Sequence, residues 1–93
     1  MTDFSLYIGG KPTMSYVTNV VMYFTTQNAE AVIIKSRGKF ISSAVEVAEV
    51  IQKQFLKDKV IISDVKIDSQ ELIAKDGKKV RVPTMEISLT KTD

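Results

Sequence analysis

The chain contains no cysteine and no histidine. Without cysteine there is no disulfide framework, no thiolate nucleophile and no zinc knuckle. Without histidine the usual general base and the commonest metal ligand are missing. Acid–base or covalent chemistry would then rest on Asp, Glu, Lys, Ser or Tyr. Long hydrophobic runs are absent as well. Stretches such as Val20–Phe24 and Ala31–Ile34 fall far short of the ~20 apolar residues that span a bilayer. The opening Met1-Thr2-Asp3-Phe4 lacks the basic-then-apolar pattern of a signal peptide. The expectation is a cytoplasmic chain with no membrane partner, no metal and no other cofactor.

What is present fits a single domain spanning residues 1–93. A chain of this length hides only roughly 60–65% of its unfolded surface, so a partner subunit would help its core. Apolar residues at 44% and charged residues at 26% are ordinary for a globular domain. The net charge of +2 is modest, but its distribution is informative. Lys35-Ser36-Arg37-Gly38-Lys39 carries three positive charges and no negative one, and Lys75-Asp76-Gly77-Lys78-Lys79-Val80-Arg81 carries four against one. The acids lie mainly elsewhere, at Glu46, Glu49, Asp58, Asp64, Asp68 and Glu71. Basic charge gathered into short loop-like stretches is the electrostatic footprint expected of a nucleic-acid binder.

Periodicity predicts the order β-α-β-α-β-β. Phe4–Ile8 alternates and reads as a strand closed by Gly9-Gly10. Pro12 stands where a first helical residue is favoured, followed by Met14, Val17, Val21 and Phe24 at helical spacing. Glu30–Lys35, with its apolar run Ala31–Ile34, suits a central strand buried on both faces. Ile41, Ala44, Val45, Ala48, Ile51 and Phe55 form the stripe of a second helix, with Ser42 and Ser43 as candidate caps. In the long strand Lys59–Ala74, Val65 and Ile67 face opposite to Asp64, Lys66 and Asp68, and a bulge is expected at Asp68-Ser69-Gln70. Asp76-Gly77 signals a two-residue hairpin. The last strand sets Val82, Met85, Ile87 and Leu89 against Arg81, Glu86, Ser88 and Thr90, with Pro83 at an edge or bulge. Right-handed crossovers place both helices against one small sheet, an α+β two-layer sandwich. Its final strands far exceed the usual ~5–6 residues, so they form a protruding, basic-tipped arm.

Enzymatic readings fail on spacing. Gly9-Gly10-Lys11-Pro12-Thr13 resembles a phosphate loop, but that motif needs a glycine five positions before the Gly-Lys glycine and Ser or Thr directly after the lysine. Ser5 and Pro12 occupy those places. Asp64, Asp68 and Glu71 are better read as an exposed acidic strand than as a metal cluster. The expectation is a protein that is not an enzyme.

The basic stretches each admit a plain reading. Arg37-Gly38-Lys39 can be a solvated turn, and charge on the hairpin can simply block edge-to-edge aggregation. Yet Gly38 would let backbone N–H groups approach a phosphate closely, and the turn stands just before a helix N-terminus. With Lys11 there are three unconnected basic sites at element junctions or tips, and that coincidence favours nucleic acid. Tyr16, one turn from Lys11, is a candidate for base stacking or a phosphate hydrogen bond, and Tyr23 for packing. Phe55 either closes the core or makes an exposed contact between subunits.

Several segments resemble the Alba family of archaeal chromatin proteins. They are Ile8-Gly9-Gly10-Lys11-Pro12-Thr13-Met14-Ser15-Tyr16, then Ile34-Lys35-Ser36-Arg37-Gly38-Lys39-Phe40-Ile41-Ser42-Ser43-Ala44-Val45, Phe55-Leu56, the Asp76-Gly77 hairpin and Val82-Pro83-Thr84-Met85-Glu86-Ile87. The similarity runs from about residue 6 to residue 91. It implies a fold like the C-terminal domain of a bacterial translation initiation factor, and a homodimer whose body sits over DNA while two arms reach along the minor groove. The implied function is sequence-nonspecific coating of double-stranded DNA on the chromosome, with RNA as a further ligand. The alternative is a primarily RNA-binding protein of ribonucleoprotein particles. By position, Lys11 matches the second lysine of the family's Gly-Lys-Lys-Pro loop. Arg37 and Lys39 match its Arg-Gly-Arg turn, and Phe55 matches an aromatic that joins neighbouring dimers along DNA. Lys75, Lys78, Lys79 and Arg81 fall on the arm. A second Alba paralogue is another implied partner. One departure is that Gly10 stands where the family has a lysine subject to acetylation, so that control is either lost or moved to Lys11. Another is Lys39, where lysine replaces the bidentate phosphate grip of arginine with a point charge.

Overall fold

The computed structural model describes residues 3–92; Met1 and Thr2, which open the segment weighed above as a leader, lie outside them with Asp93. The elements are β1 (Asp3–Tyr7), α1 (Thr13–Thr25), β2 (Ala31–Arg37), a 3-10 turn (Gly38–Phe40), α2 (Ile41–Val50), a π-turn (Ile51–Phe55), β3 (Val60–Ile73) and β4 (Lys79–Lys91). The strands make one sheet in the order β1-β2-β4-β3. β1 runs parallel to β2, with Tyr7 opposite Lys35, and β4 is antiparallel to both β2 and β3.

Both helices pack on one face of this sheet. Val32, Ile34, Ile87 and Leu89 meet Val17, Val20, Phe24, Ala44, Val47, Ala48 and Ile51 in a single core, each large side chain contributing about 1.5–3 kcal/mol by leaving water. β2 is therefore not buried on both faces as its apolar run predicts. Val32, Ile34 and Ser36 are buried while Ile33 and Lys35 are half-buried on the uncovered side.

The helical stripes are narrower than the sequence suggests. In α1, Tyr16, Val17, Val20 and Phe24 face the core, Met14 is half-exposed and Val21 is only partly covered. In α2, Ala44, Val47, Ala48 and Ile51 are the i, i+3, i+4, i+7 set lying on the sheet. Val45 stands about 100° around from Ala44 and is exposed. Ser42 and Ser43 do not cap α2. Phe40 holds the cap position without a side-chain bond, because the 3-10 turn feeds directly into the helix. After Val50 the coil widens, and the Leu56 N–H donates to the Ile51 carbonyl at 2.8 Å, five residues back. That wide turn buries Leu56 and leaves Phe55 50% exposed.

The bulge falls at Ser63, between the pairs Ile62–Leu89 and Asp64–Ser88, not at Asp68-Ser69-Gln70. From Asp64 onward pairing is one to one. The pattern breaks at 68–70 because the strand there leaves the core, not because its register slips. For the same reason Val82 faces opposite to Met85, Ile87 and Leu89, and alternation of direction continues through Pro83. Beyond the last β2–β4 pair, Arg37–Thr84, five further β3–β4 pairs run from Ser69–Pro83 to Ile73–Lys79. They form a two-stranded arm of about 17 Å at 3.4 Å per residue, in a molecule measuring 47 × 25 × 20 Å. Pro83 sits at the first pair where β4 has lost β2 as a neighbour, the edge position expected for a residue without an N–H. The arm's tip is a three-residue loop, not the two-residue turn expected. The Gly77 N–H donates to the Ala74 carbonyl at 2.9 Å, the Ala74 N–H donates to the Lys78 carbonyl at 2.8 Å, and Gly77 takes φ +84°.

Candidate nucleic-acid interface

Because β1, β2 and β3 run in the same direction, their C-terminal ends lie at one end of the sheet. The Gly9–Pro12 loop, the Arg37–Phe40 turn and the arm all leave from that end. The three basic stretches, unconnected in sequence, are thus brought to one side of the molecule. Lys11, Arg37, Lys39, Lys75, Lys78, Lys79 and Arg81 are all exposed. The N-termini of α1 and α2 open at the same end, with no acidic residue in either first turn, so the helix dipoles add positive potential there. Thr13 ties the two helices together by donating through its hydroxyl to Glu46 Oε1 at 2.7 Å.

Tyr16 corrects one sequence expectation. Its ring is only 6% exposed, so neither face is open to a base. Its hydroxyl oxygen accepts the Gly9 N–H at 2.8 Å and the Lys11 N–H at 3.2 Å. Tyr16 holds the loop that presents Lys11. Tyr23 packs as expected, stacked on Phe4 with ring centroids 4.6 Å apart.

The basic turn is held from two sides. The Arg37 guanidinium reaches Gln70 on β3. Gly38 adopts φ +58°, and a Cβ there would meet Val82 Cγ1 at 3.3 Å. Glycine is required by the backbone and by the approach of the arm's base, beyond any access it gives to phosphate. Lys39 lies over the Phe40 ring, 5.4 Å from its centroid.

On the arm, Lys79 faces Glu71 at 3.9 Å. Among the described residues Lys75, Lys78 and Arg81 form no ion pair. The acids weighed as a metal cluster are not brought together. Glu71 points to the face opposite Asp64 and Asp68, and the described residues contain no cluster of three or more Asp or Glu that could hold a metal ion. Phe55 lies at the other end of α2 from the basic turn. Gln70 and Val82 are the supporting residues that sequence reasoning misses. Nothing short of the β2–β4–β3 register places either beside Arg37 or Gly38.

The fold and the cations gathered at this end define a small α+β protein that presents basic charge from two loops and a projecting ribbon. The Alba family model matches residues 5–69, and the chain belongs to the Alba family. It is similar to the DNA/RNA-binding protein Alba of Nanoarchaeum equitans, 48% identical over 87 residues covering 92% of this chain and 96% of that one. The DNA/RNA-binding protein Alba of Methanococcus maripaludis is 40% identical over 89 residues, covering 96% of this chain and 99% of its own. Among solved structures, Alba from Thermoplasma volcanium superposes with a TM-score of 0.85 at 40% identity, covering 92% of this chain and 98% of its own. ALBA1 from Trypanosoma brucei shares the fold at a TM-score of 0.74 and 21% identity, over 96% of this chain and 69% of its own.

Proposed function

We propose that the chain binds double-stranded DNA without sequence preference and coats it as a chromosome-associated dimer, and that it also binds RNA. The observation that carries this reading is the gathering of Lys11, Arg37, Lys39 and the arm at one end of the sheet. Relatives at 40–48% identity named DNA/RNA-binding proteins support it. Contacts of this kind address phosphate oxygens, which fix position on a duplex without reading its sequence. The chemistry is binding, with no catalytic step assigned.

Dimerisation is supported by apolar surface left on the helix side of the sheet. Val65 and Ile67 on β3 and Val45 on α2 are exposed, Ile67 at 72%. Uncovered aliphatic side chains of this kind mark protein–protein contacts. The partner is a second copy of the chain or a paralogue, and two copies would present two arms. Phe55 is assigned to contacts between neighbouring dimers on long DNA. Lys11 is the candidate acetylation site, since Gly10 offers no amine.

A salt titration tests the electrostatic core of this reading. With about 6–10 phosphate contacts per dimer, duplex affinity should fall about 10³–10⁵-fold between 50 and 200 mM salt. Arg37→Glu with Lys39→Glu should weaken binding strongly at fixed salt. A flat salt response, one duplex preferred far above its scrambled versions, or full affinity in the folded double variant would overturn it.

A further inference from the structure

The sheet face opposite the helices carries a recess of about 680 Å³ at the end where the basic loops emerge. Its lining includes Tyr7, Lys35, Arg37, Lys66, Gln70 and Glu86, and its size is within the roughly 300–1,000 Å³ typical of small-ligand sites. The strand register sets Tyr7, Lys35, Glu86 and Lys66 in one row across all four strands. Tyr7 is 70% exposed on the edge strand, so its ring contributes little to the core. Lys35 Nζ lies over one face of that ring, 5.6 Å from its centroid, a cation–π contact that a base stacking from that side replaces. Among the described residues neither Lys35 nor Lys66 forms an ion pair.

We infer that this recess holds an unpaired nucleotide of single-stranded RNA, its base stacked on Tyr7 and its flanking phosphates on Lys35 and Lys66. The inference rests on the nucleic-acid reading above and deepens it, because the recess is continuous through Arg37 with the basic end of the sheet. An exposed aromatic beside cations that form no ion pair among the described residues is the arrangement on which single-stranded bases stack. A duplex cannot use it, since the faces of paired bases are already covered by their neighbours. Glu86 and Asp68 also line the floor. Two carboxylates there oppose a phosphate track across the middle and keep phosphates at the rim. They also accept hydrogen bonds from a ribose 2′-hydroxyl, the donor that deoxyribose lacks. The recess therefore selects RNA over DNA among single strands.

The chain has no tryptophan and three tyrosines, so tyrosine emission reports stacking directly. A short single-stranded RNA of mixed sequence is titrated into the full-length protein, beside the same sequence as single-stranded DNA and as a DNA duplex. RNA should quench tyrosine emission. Tyr7→Ala should remove the quench and lower RNA affinity about tenfold, the order carried by one base–aromatic stack. Tyr7→Phe should remove the quench yet keep RNA affinity, and both variants should keep duplex affinity. The inference is overturned if Tyr7→Ala binds RNA as wild type does, if it loses RNA and duplex affinity equally, or if single-stranded DNA binds as tightly as RNA. Failure of the broader reading looks different: the wild-type protein would then ignore duplex, and charge reversal at Arg37 and Lys39 would change nothing.

Discussion

Arg37 Nη1 donates to Gln70 Oε1 across 3.1 Å, joining the last residue of β2 to the strand that climbs into the arm. With Gly38 packed toward Val82, this bond makes the basic turn and the arm's base one assembly.

Removing the tie should be felt in binding more than in folding. The bond is exposed, and an ordinary hydrogen bond contributes about 0.5–1.5 kcal/mol net. Gln70→Ala should leave thermal stability nearly unchanged and reduce duplex affinity a few-fold by freeing the guanidinium. Gln70→Glu should reduce it further, because a carboxylate engages Arg37 and cancels its charge. Fluorescence anisotropy on a short duplex measures both, and wild-type affinity in both variants would show that the tie has no role.

Gly38→Ala should destabilise the chain. Left-handed backbone costs an L-residue about 1–2 kcal/mol, and at this chain length each kcal/mol lowers Tm by about 4–8 °C. Adding Val82→Ala removes the steric part while the backbone cost stays. Partial recovery of Tm in the double variant is expected. Full recovery would mean that the contact alone, and not the φ of +58°, demands glycine.

Tyr16→Phe keeps the ring in the core and deletes the acceptor shared by the Gly9 and Lys11 amides. Hydrogen exchange at those two amides should accelerate selectively, and duplex affinity should fall as Lys11 loses its placement. Unchanged exchange at both would show that the loop is held by something other than the hydroxyl.

Phe55→Ala should leave the dimer folded and able to bind an isolated short duplex, while cooperative coating of long DNA is lost. Sedimentation reports the dimer, and the shape of the isotherm on long DNA reports cooperativity. Unfolding or dissociation would assign the ring to the core or the dimer contact, and unchanged cooperativity would reject the role between dimers.

The element order, the arm and the basic loops were legible in the sequence because each has a local signature: alternation, glycine punctuation, clustered lysine and arginine. What local pattern could not give was the phase of each burial stripe. Met14 and Val45 are apolar at helical spacing yet face solvent, since a two-layer fold covers only one narrow side of each helix. Nor could it give the partners of polar groups. Tyr16 read as a surface residue because its spacing from Lys11 is visible, whereas the two backbone amides that claim its hydroxyl depend on how the loop folds back over α1. Gln70 looked like part of a bulge because the apolar pattern stops there, and only pairing through β4 brings it beside Arg37. Phe55 was ambiguous because a regular helix places it about 40° from Ile51, on the buried side.

The π-turn resolves that ambiguity by a shift of helical phase. In a regular helix Leu56 would stand about 140° around from Ile51, off the core. The wide turn delays the rotation, so Leu56 comes to rest beneath Ile51 and Phe55 swings outward. The helix thus holds one residue more than its core contacts require. Deleting Lys53 would take up that slack: Leu56 would become the fourth residue after Ile51 and keep its buried place in a regular coil, while Phe55, now the third, would stand about 60° to the other side. One codon's length, without any change of side chain, thus sets the direction in which the ring leaves this end of the helix.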